Sequence, residues 1–401
     1  MSGVAQIQNE AINALKAGTE NLPDRSSEQW RKVRLDGVDV FSRKPGEFSF
    51  DLAYSKESGV PLNSYSELPS PAKGAQTSYE QAGMKILEPG EGTFGQHWSW
   101  LINRARDTRD PFELTTLGYG QPVGLHIQQD IALRIRYEAG QGNLYLPSIY
   151  IKVDPDKELD LYIEYSDPNG NSEELGRMWS STTFIDAGNN ARVRIVDSRK
   201  HDDLSFHFHR LDVVEGRDSN VHYCAVHRGG LTGKGFVRTR AIEKGAFFRG
   251  IGLYTGRSAQ LHDMEMEISH EADHCVSTLL YKTVLRDRAH SIFNGSLVAP
   301  PHIKQVDSHQ TNNNILLSKK ARAESMPRLI IQSEDVSCEH GATVGDLDEQ
   351  ALFFLQCRGI PLEEARRILI EGFMEEILSE LRMTEEDLAS MRDELFPILQ
   401  S

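Results

Sequence analysis

Cys338 and His340 stand two residues apart in the stretch Ser333-Glu-Asp-Val-Ser-Cys-Glu-His-Gly-Ala-Thr-Val-Gly345. Side chains alternate between the two faces of a β-strand, so residues i and i+2 share one face. A thiolate and an imidazole on one face suit a soft or borderline metal, or sulfur-bound iron. The competing reading is a cysteine that packs as a small hydrophobe. Two ligands do not complete an iron–sulfur site, which usually takes four from protein, so the remainder would come from another chain. His207 and His209 alternate in the same way, and two imidazoles with open positions could take zinc or iron. No carboxylate or cysteine accompanies them at tight spacing, which leaves histidines satisfied within their own strand as the alternative. His270, His274 and Cys275 lie in a metal-rich run, but at a turn, where solvated polar groups are equally expected.

Other chemistries are missing. Cys224, Cys275, Cys338 and Cys357 form no Cys-x-x-Cys, the spacing expected of a dedicated zinc or iron–sulfur site. Four cysteines in 401 residues do not make a disulfide framework either, so a reducing, cytoplasmic compartment is expected. Gly229-Gly-Leu-Thr-Gly-Lys-Gly235 lacks the spacing of a phosphate-binding loop and reads as a flexible turn. No Gly-x-Ser-x-Gly elbow occurs. Asp307 and Asp335 make no convincing dyad for a β-helix carbohydrate-active enzyme. The net charge of −15 argues against nucleic acid and anionic membranes as general partners. The last 56 residues hold 14 acidic and 5 basic side chains, more than half of that net charge. Residues 1–10 lack the pattern of a signal peptide, and no apolar run is long enough to span a bilayer.

The elements that would position these residues fall into three parts: an N-terminal helical and irregular region over 1–110, a β-rich core over 111–345 and a helical domain over 346–401. Val4, Ile7, Ala11 and Leu15 step at helical spacing before Gly18. Residues 43–95 are rich in Pro, Gly and Ser and yield no firm elements. Trp98 and Trp100 read as aromatic packing in a short helix or turn. From about Phe112 short strands alternate with tight turns, recurring at very roughly 20 residues. That pattern fits a β-solenoid, with a sandwich or barrel as the alternative. Asn312-Asn-Asn314 suggests an amide ladder inside such a solenoid.

After Gly345 the spacing turns helical. A first helix over Leu347–Arg358 ends at Gly359, and Pro361 opens a second. In the second, Leu362, Ala365, Leu369, Phe373, Ile377 and Leu381 form one stripe, which Ile370, Met374 and Leu378 widen beyond what one buried face needs. Gly372 inside that helix predicts a closely approaching neighbour. Thr384-Glu-Glu-Asp387 is a capping box that opens a third helix.

The run Cys338-Glu-His-Gly-Ala-Thr-Val-Gly345, followed by Leu347-Asp-Glu349 and Phe353-Phe-Leu-Gln-Cys-Arg-Gly-Ile360, resembles the C-terminal signature of the SufB/SufD family of the SUF iron–sulfur cluster assembly machinery. Phe293-Asn-Gly295, Asp307, Gln310-Thr-Asn312 and Asn314–Ser318 extend the match over about 285–380, and Leu22-Pro-Asp-Arg25 with Gln29-Trp30 resembles the family's entry motif. Gly341, where SufB has Glu, places the resemblance on the SufD side. It implies a right-handed parallel β-helix and a non-catalytic scaffold that pairs with SufB, or self-associates without it. The C-terminal helices over 346–401 would dock the SufC ATPase. It also implies a transient iron–sulfur cluster shared with SufB, with His340 and Cys338 as ligands, and ATP bound only by SufC. The family's SufB-containing complexes are associated with a reduced flavin, whose site these motifs do not place. The alternative is a stand-alone solenoid adaptor without metal chemistry.

Overall fold

The computed structural model describes residues 8, 9, 11–13, 47–71, 75–88, 92–108, 110–167 and 176–396. Most of the expected helix at 4–15 and the motif at 22–30 lie outside the described residues. From Gln121 onward the chain coils through two long parallel sheets. Sheet I runs from Ser66–Leu68 at one edge to Val336–Gly345 at the other; sheet II ends on Arg322–Ile331. Strands alternate between the sheets, so each turn of the coil supplies one strand to each. This is the expected parallel β-solenoid.

The repeat is longer than the spacing of turns suggested. Register partners lie from 26 residues apart, between Phe206 and Thr232, to 34 apart, between Glu158 and Arg192. One turn holds two strands of about ten residues plus two corners, whereas the turn signals alone mark half-turns. Two further expectations are corrected. Gly233 and Gly235 are not in a flexible turn: they belong to the strand Thr232–Ala241. A Cβ at Gly235 would come within 2.8 Å of the Met264 side chain, so the glycine makes room for a residue of the next turn. The Pro- and Gly-rich segment also holds regular structure. Phe48–Ser55 pairs antiparallel with Ile131–Ala139 and closes the N-terminal end of sheet I. Strand texture begins at Gln121, because Pro111–Tyr119 is a helix capped by Asp110, which accepts from the Phe112 and Glu113 amides at 3.0 Å. Trp98 is buried in the preceding helix, Gly92–Thr108, and Trp100 is covered by the Arg104 and Arg238 guanidinium groups.

The apolar core fills the lumen between the sheets, from Leu159, Leu161 and Ile163 in the early turns to Phe293 and Leu297 in the late ones. A second cluster lies outside the solenoid. There the helices Leu362–Leu378 and Glu385–Leu395 cover Val196, Val226, Ile251, Leu253 and Val284 on the outer face of sheet I. Charge locks this contact. Lys200 pairs with Glu394 at 2.7 Å, Arg249 with Glu380 at 2.7 Å and Lys282 with Glu376, while Lys282 also donates to the Phe373 carbonyl at 2.9 Å. Part of the acidic excess of the C-terminal segment is thus spent on a basic row of the sheet. Thr384 caps the last helix, and Asp387 accepts from the Leu62 amide at 3.1 Å, tying the helix to the N-terminal segment. Gly372 has open space around its Cβ position, so none of the described residues approaches it closely.

Candidate functional site

Burial of the neighbouring strand fixes which way the terminal strand faces. In Val306–Leu316, Ser308, Gln310, Asn312 and Asn314 point into the lumen and are buried. Val336–Gly345 pairs with it in parallel register, Cys338 beside Ser308 and His340 beside Gln310. Cys338 and His340 therefore continue two lumenal columns. One runs Cys338, Ser308, Ser277 and Phe248; the other runs His340, Gln310, Leu279 and Gly250. Among the described residues no strand follows Val336–Gly345 in sheet I or Arg322–Ile331 in sheet II. Among them the lumen is open at this end, and the last strand is exposed along most of its length although alternate side chains occupy lumenal positions.

The two ligand candidates thus share one face at the mouth. Cys338 is half-buried and His340 exposed. Burial, and then the Asp307 carboxylate, push the Cys338 thiol above its usual range, so the thiolate needs positive charge from elsewhere. On the outer face of the same strands, His309 sits between Asp307, 3.0 Å away, and Glu339, 3.5 Å away. Each carboxylate faces a different ring nitrogen, so the three groups do not converge on one ion.

His207 and His209 lie deep in the lumen and are satisfied there. Ser181 Oγ is 2.8 Å from His207 Nε2 and 2.8 Å from His209 Nδ1. His207 Nδ1 is 2.9 Å from His201 Nε2, whose other nitrogen is 3.1 Å from Asp167. Asp197 gathers His209 at 3.4 Å, Arg199 at 2.6 Å and the Tyr223 hydroxyl at 2.8 Å. Burial, then Arg199, lowers the His209 pKa to about 3; the same causes lower His262, which contacts His227 and Tyr281, to about 3. Burial lowers His207 and His227 as well, so His207, His209, His227 and His262 are neutral structural imidazoles. His270, His274 and Cys275 are not brought together. His270 faces the lumen, 2.9 Å from Ser277 Oγ; His274 occupies a turn; the Cys275 thiol donates weakly to backbone carbonyls. Asn312 and Asn314 bond to each other within one strand and to the Tyr281 and Thr343 carbonyls, so they form no ladder of amides stacked between turns. Among the described residues no group of three or more His, Cys, Asp or Glu side chains could hold a metal.

A second feature escaped the sequence patterns. Asp348 caps the helix Glu349–Gln356, and Gly359, at φ +86°, ends the turn that follows it. Phe353 and Phe354 stand 68% and 55% exposed on that helix. Leu362 and Ile368 are exposed on the next helix. The phenylalanines lie in a motif that the resemblance had flagged, but only burial reveals that they face outward.

Residues 135–373 match the family described as "SUF system FeS cluster assembly, SufBD core domain". The chain belongs to the SufBD core family. Within it the similarity is to SufD-type proteins. The "Iron-sulfur cluster assembly protein SufD" of Escherichia coli is 29% identical over 198 residues, 49% of this chain and 47% of that protein. The Bacillus subtilis protein of the same name is 30% identical over 182 residues, 44% of this chain and 41% of that one. "Protein ABCI7, chloroplastic" of Arabidopsis thaliana is 26% identical over 234 residues, 58% and 48% of the two chains. The matches span about half the length of these curated relatives. Among the described residues no helix is long and apolar enough to cross a membrane.

Proposed function

We propose that this chain is a non-catalytic scaffold subunit for iron–sulfur cluster assembly, working in the cytoplasm, with its site at the open end of the solenoid. The observation that carries the reading is the uncapped last turn, which presents Cys338 and His340 side by side at lumenal positions. An open solenoid end exposes unpaired backbone groups and lumenal side chains, here including Val344, 49% exposed. A second β-helix of similar cross-section would satisfy both. A SufB-type subunit is the partner that fits, and its ligands would complete a set of which this chain supplies two. Iron and sulfide are the cargo of that shared site.

The C-terminal helices supply the other contact. Their inner faces are committed to sheet I, while Phe353, Phe354, Leu362 and Ile368 remain exposed, with open space over Gly372 one turn beyond Ile368. An aromatic pair with aliphatic neighbours is the composition of an interface core. We assign this surface to a SufC-type ATPase, the only subunit that would bind ATP.

The test is co-purification followed by anaerobic loading with iron and sulfide. The wild-type chain should recover a SufB-type subunit and an ABC-type ATPase. Phe353→Ala with Phe354→Ala should release the ATPase alone. His340→Ala should leave the complex intact but lower bound iron and sulfide at least tenfold. Undiminished iron and sulfide in His340→Ala would remove the ligand assignment, and recovery of the chain without either partner would remove the scaffold reading.

A further inference from the structure

The lumen directly beneath His340 contains a polar group that none of the described residues satisfies. Gln310 is 2% exposed, yet among the described residues its Oε1 has no hydrogen-bond partner. Buried side-chain carbonyls are nearly always paired, and leaving one unpaired costs free energy. The amide is also held in place. Gln310 reaches across the lumen onto Gly295 of sheet II, where a Cβ would overlap the amide. The glycine therefore gives the amide the floor on which it lies.

The residue above this floor is His340. Gln310 and His340 are register partners on adjacent parallel strands, with both side chains at lumenal positions. The two groups are not bonded in the structure, but adjacent strands lie about 4.8 Å apart, so a turn of the exposed His340 side chain brings an imidazole N–H within reach of the unpaired amide oxygen. A histidine that ligates metal through one ring nitrogen almost always donates its other N–H to a fixed acceptor, which sets both tautomer and ring orientation. We infer that Gln310 is a positioning residue for His340: its amide oxygen takes the inward ring N–H and turns the other ring nitrogen toward the mouth. This rests on the reading of His340 as a ligand in the proposed site. It adds why that ligand needs a buried amide beneath it and a glycine opposite. The Ser325 hydroxyl, buried and without a partner in the same turn, is the other group that could engage the amide oxygen, and it serves as the control.

The experiment uses the full chain labelled with 15N at histidine, at a pH where His340 is neutral, with His340→Asn to identify its ring signals. Co(II) is the probe ion, read by paramagnetic broadening of those signals. Wild type should show a single His340 tautomer. Gln310→Leu, similar in size but without the acceptor, should give a mixture of tautomers and weaken Co(II) binding by about 10- to 100-fold. Gln310→Glu keeps an acceptor oxygen and should preserve the single tautomer. Gly295→Ala should act like Gln310→Leu by displacing the amide, and Ser325→Ala should change nothing. Circular dichroism selects the variants that retain the fold.

An unchanged His340 tautomer in Gln310→Leu would overturn the inference. So would a Gln310→Glu variant that behaves like Gln310→Leu, because packing rather than the acceptor would then be responsible. If wild type shows one tautomer set by Gln310 but Co(II) never broadens His340, the positioning contact stands and the ligand assignment falls.

Discussion

The middle of the lumen and its open end are built from the same residue types and behave in opposite ways. In the middle, His207, His209 and Asp197 are 2%, 3% and 2% exposed and bonded among themselves. At the end, Cys338 and His340 occupy equivalent lumenal positions, but no further turn among the described residues covers them. The difference is one turn of neighbours. Where a turn lies on either side, polar side chains pair internally and harden into structure. Where the stack stops, they remain available, and burial that would neutralise a ligand is only half complete. A histidine in a solenoid therefore takes its role from the distance to the nearest open end as much as from its own strand.

The sharpest way to break this comparison is to cut the middle network. Asp197 holds Arg199 and Tyr223 in a sealed site. Asp197→Ala leaves a buried guanidinium uncompensated and should cost about 3–5 kcal/mol in urea unfolding. A loss below about 1 kcal/mol would mean that water reaches the middle of the lumen and that the two regions are not different environments.

The next effect is acid sensitivity. His209 and His262, with pKa values lowered to about 3, and His270, lowered to about 4 by burial, stay neutral in the fold. The unfolded chain protonates them near 6.5. Below that pH the unfolded state binds more protons, so stability should fall as pH drops, by up to about 1.4 kcal/mol per pH unit for each histidine, until their folded pKa values are passed. Glu215 works the other way. Burial raises its pKa to about 7, so between about 4.5 and 7 its contribution is lost as pH rises. His207 and His227, also lowered well below their ordinary value by burial, add to the three histidines and outweigh the raised carboxyls Glu113, Glu215 and Glu265, so the net slope below pH 6 should favour acid unfolding. His209→Gln should flatten that slope.

Much of this architecture was legible in the sequence. Alternation in Ser337–Val344 placed Cys338 and His340 on one face, and the three- and four-residue steps after Gly359 marked the long C-terminal helix that structure places at Leu362–Leu378. Other parts were not legible, for physical reasons. Gly233 and Gly235 read as a turn because glycine disfavours strands; they are tolerated in one because His262 and Met264 of the next turn fill the space. The repeat was read short because corners and strands were taken as single units. The histidine network could not be read locally at all, since Ser181 and His207 meet across 26 residues of sequence. The exposure of Phe353 and Phe354 depended on which helical face sheet I claims, which only packing decides.

The smallest stability effect should come from the open end itself. Cys338→Ser and His340→Ala should each change unfolding free energy by less than about 0.5 kcal/mol, as expected of side chains without a covering turn. A cost near that of Asp197→Ala would show that the end is sealed by the chain's own packing and would contradict its assignment as an interface.

The most direct measurement is amide hydrogen exchange on the chain with and without a SufB-type subunit. The account predicts that backbone amides of Val336–Gly345 and Arg322–Ile331, the two terminal edges, exchange readily in the free chain and become protected together on binding. Protection that spares both edges, or that appears only on the C-terminal helices, would contradict the claim that cluster assembly is organised at the open end of the solenoid.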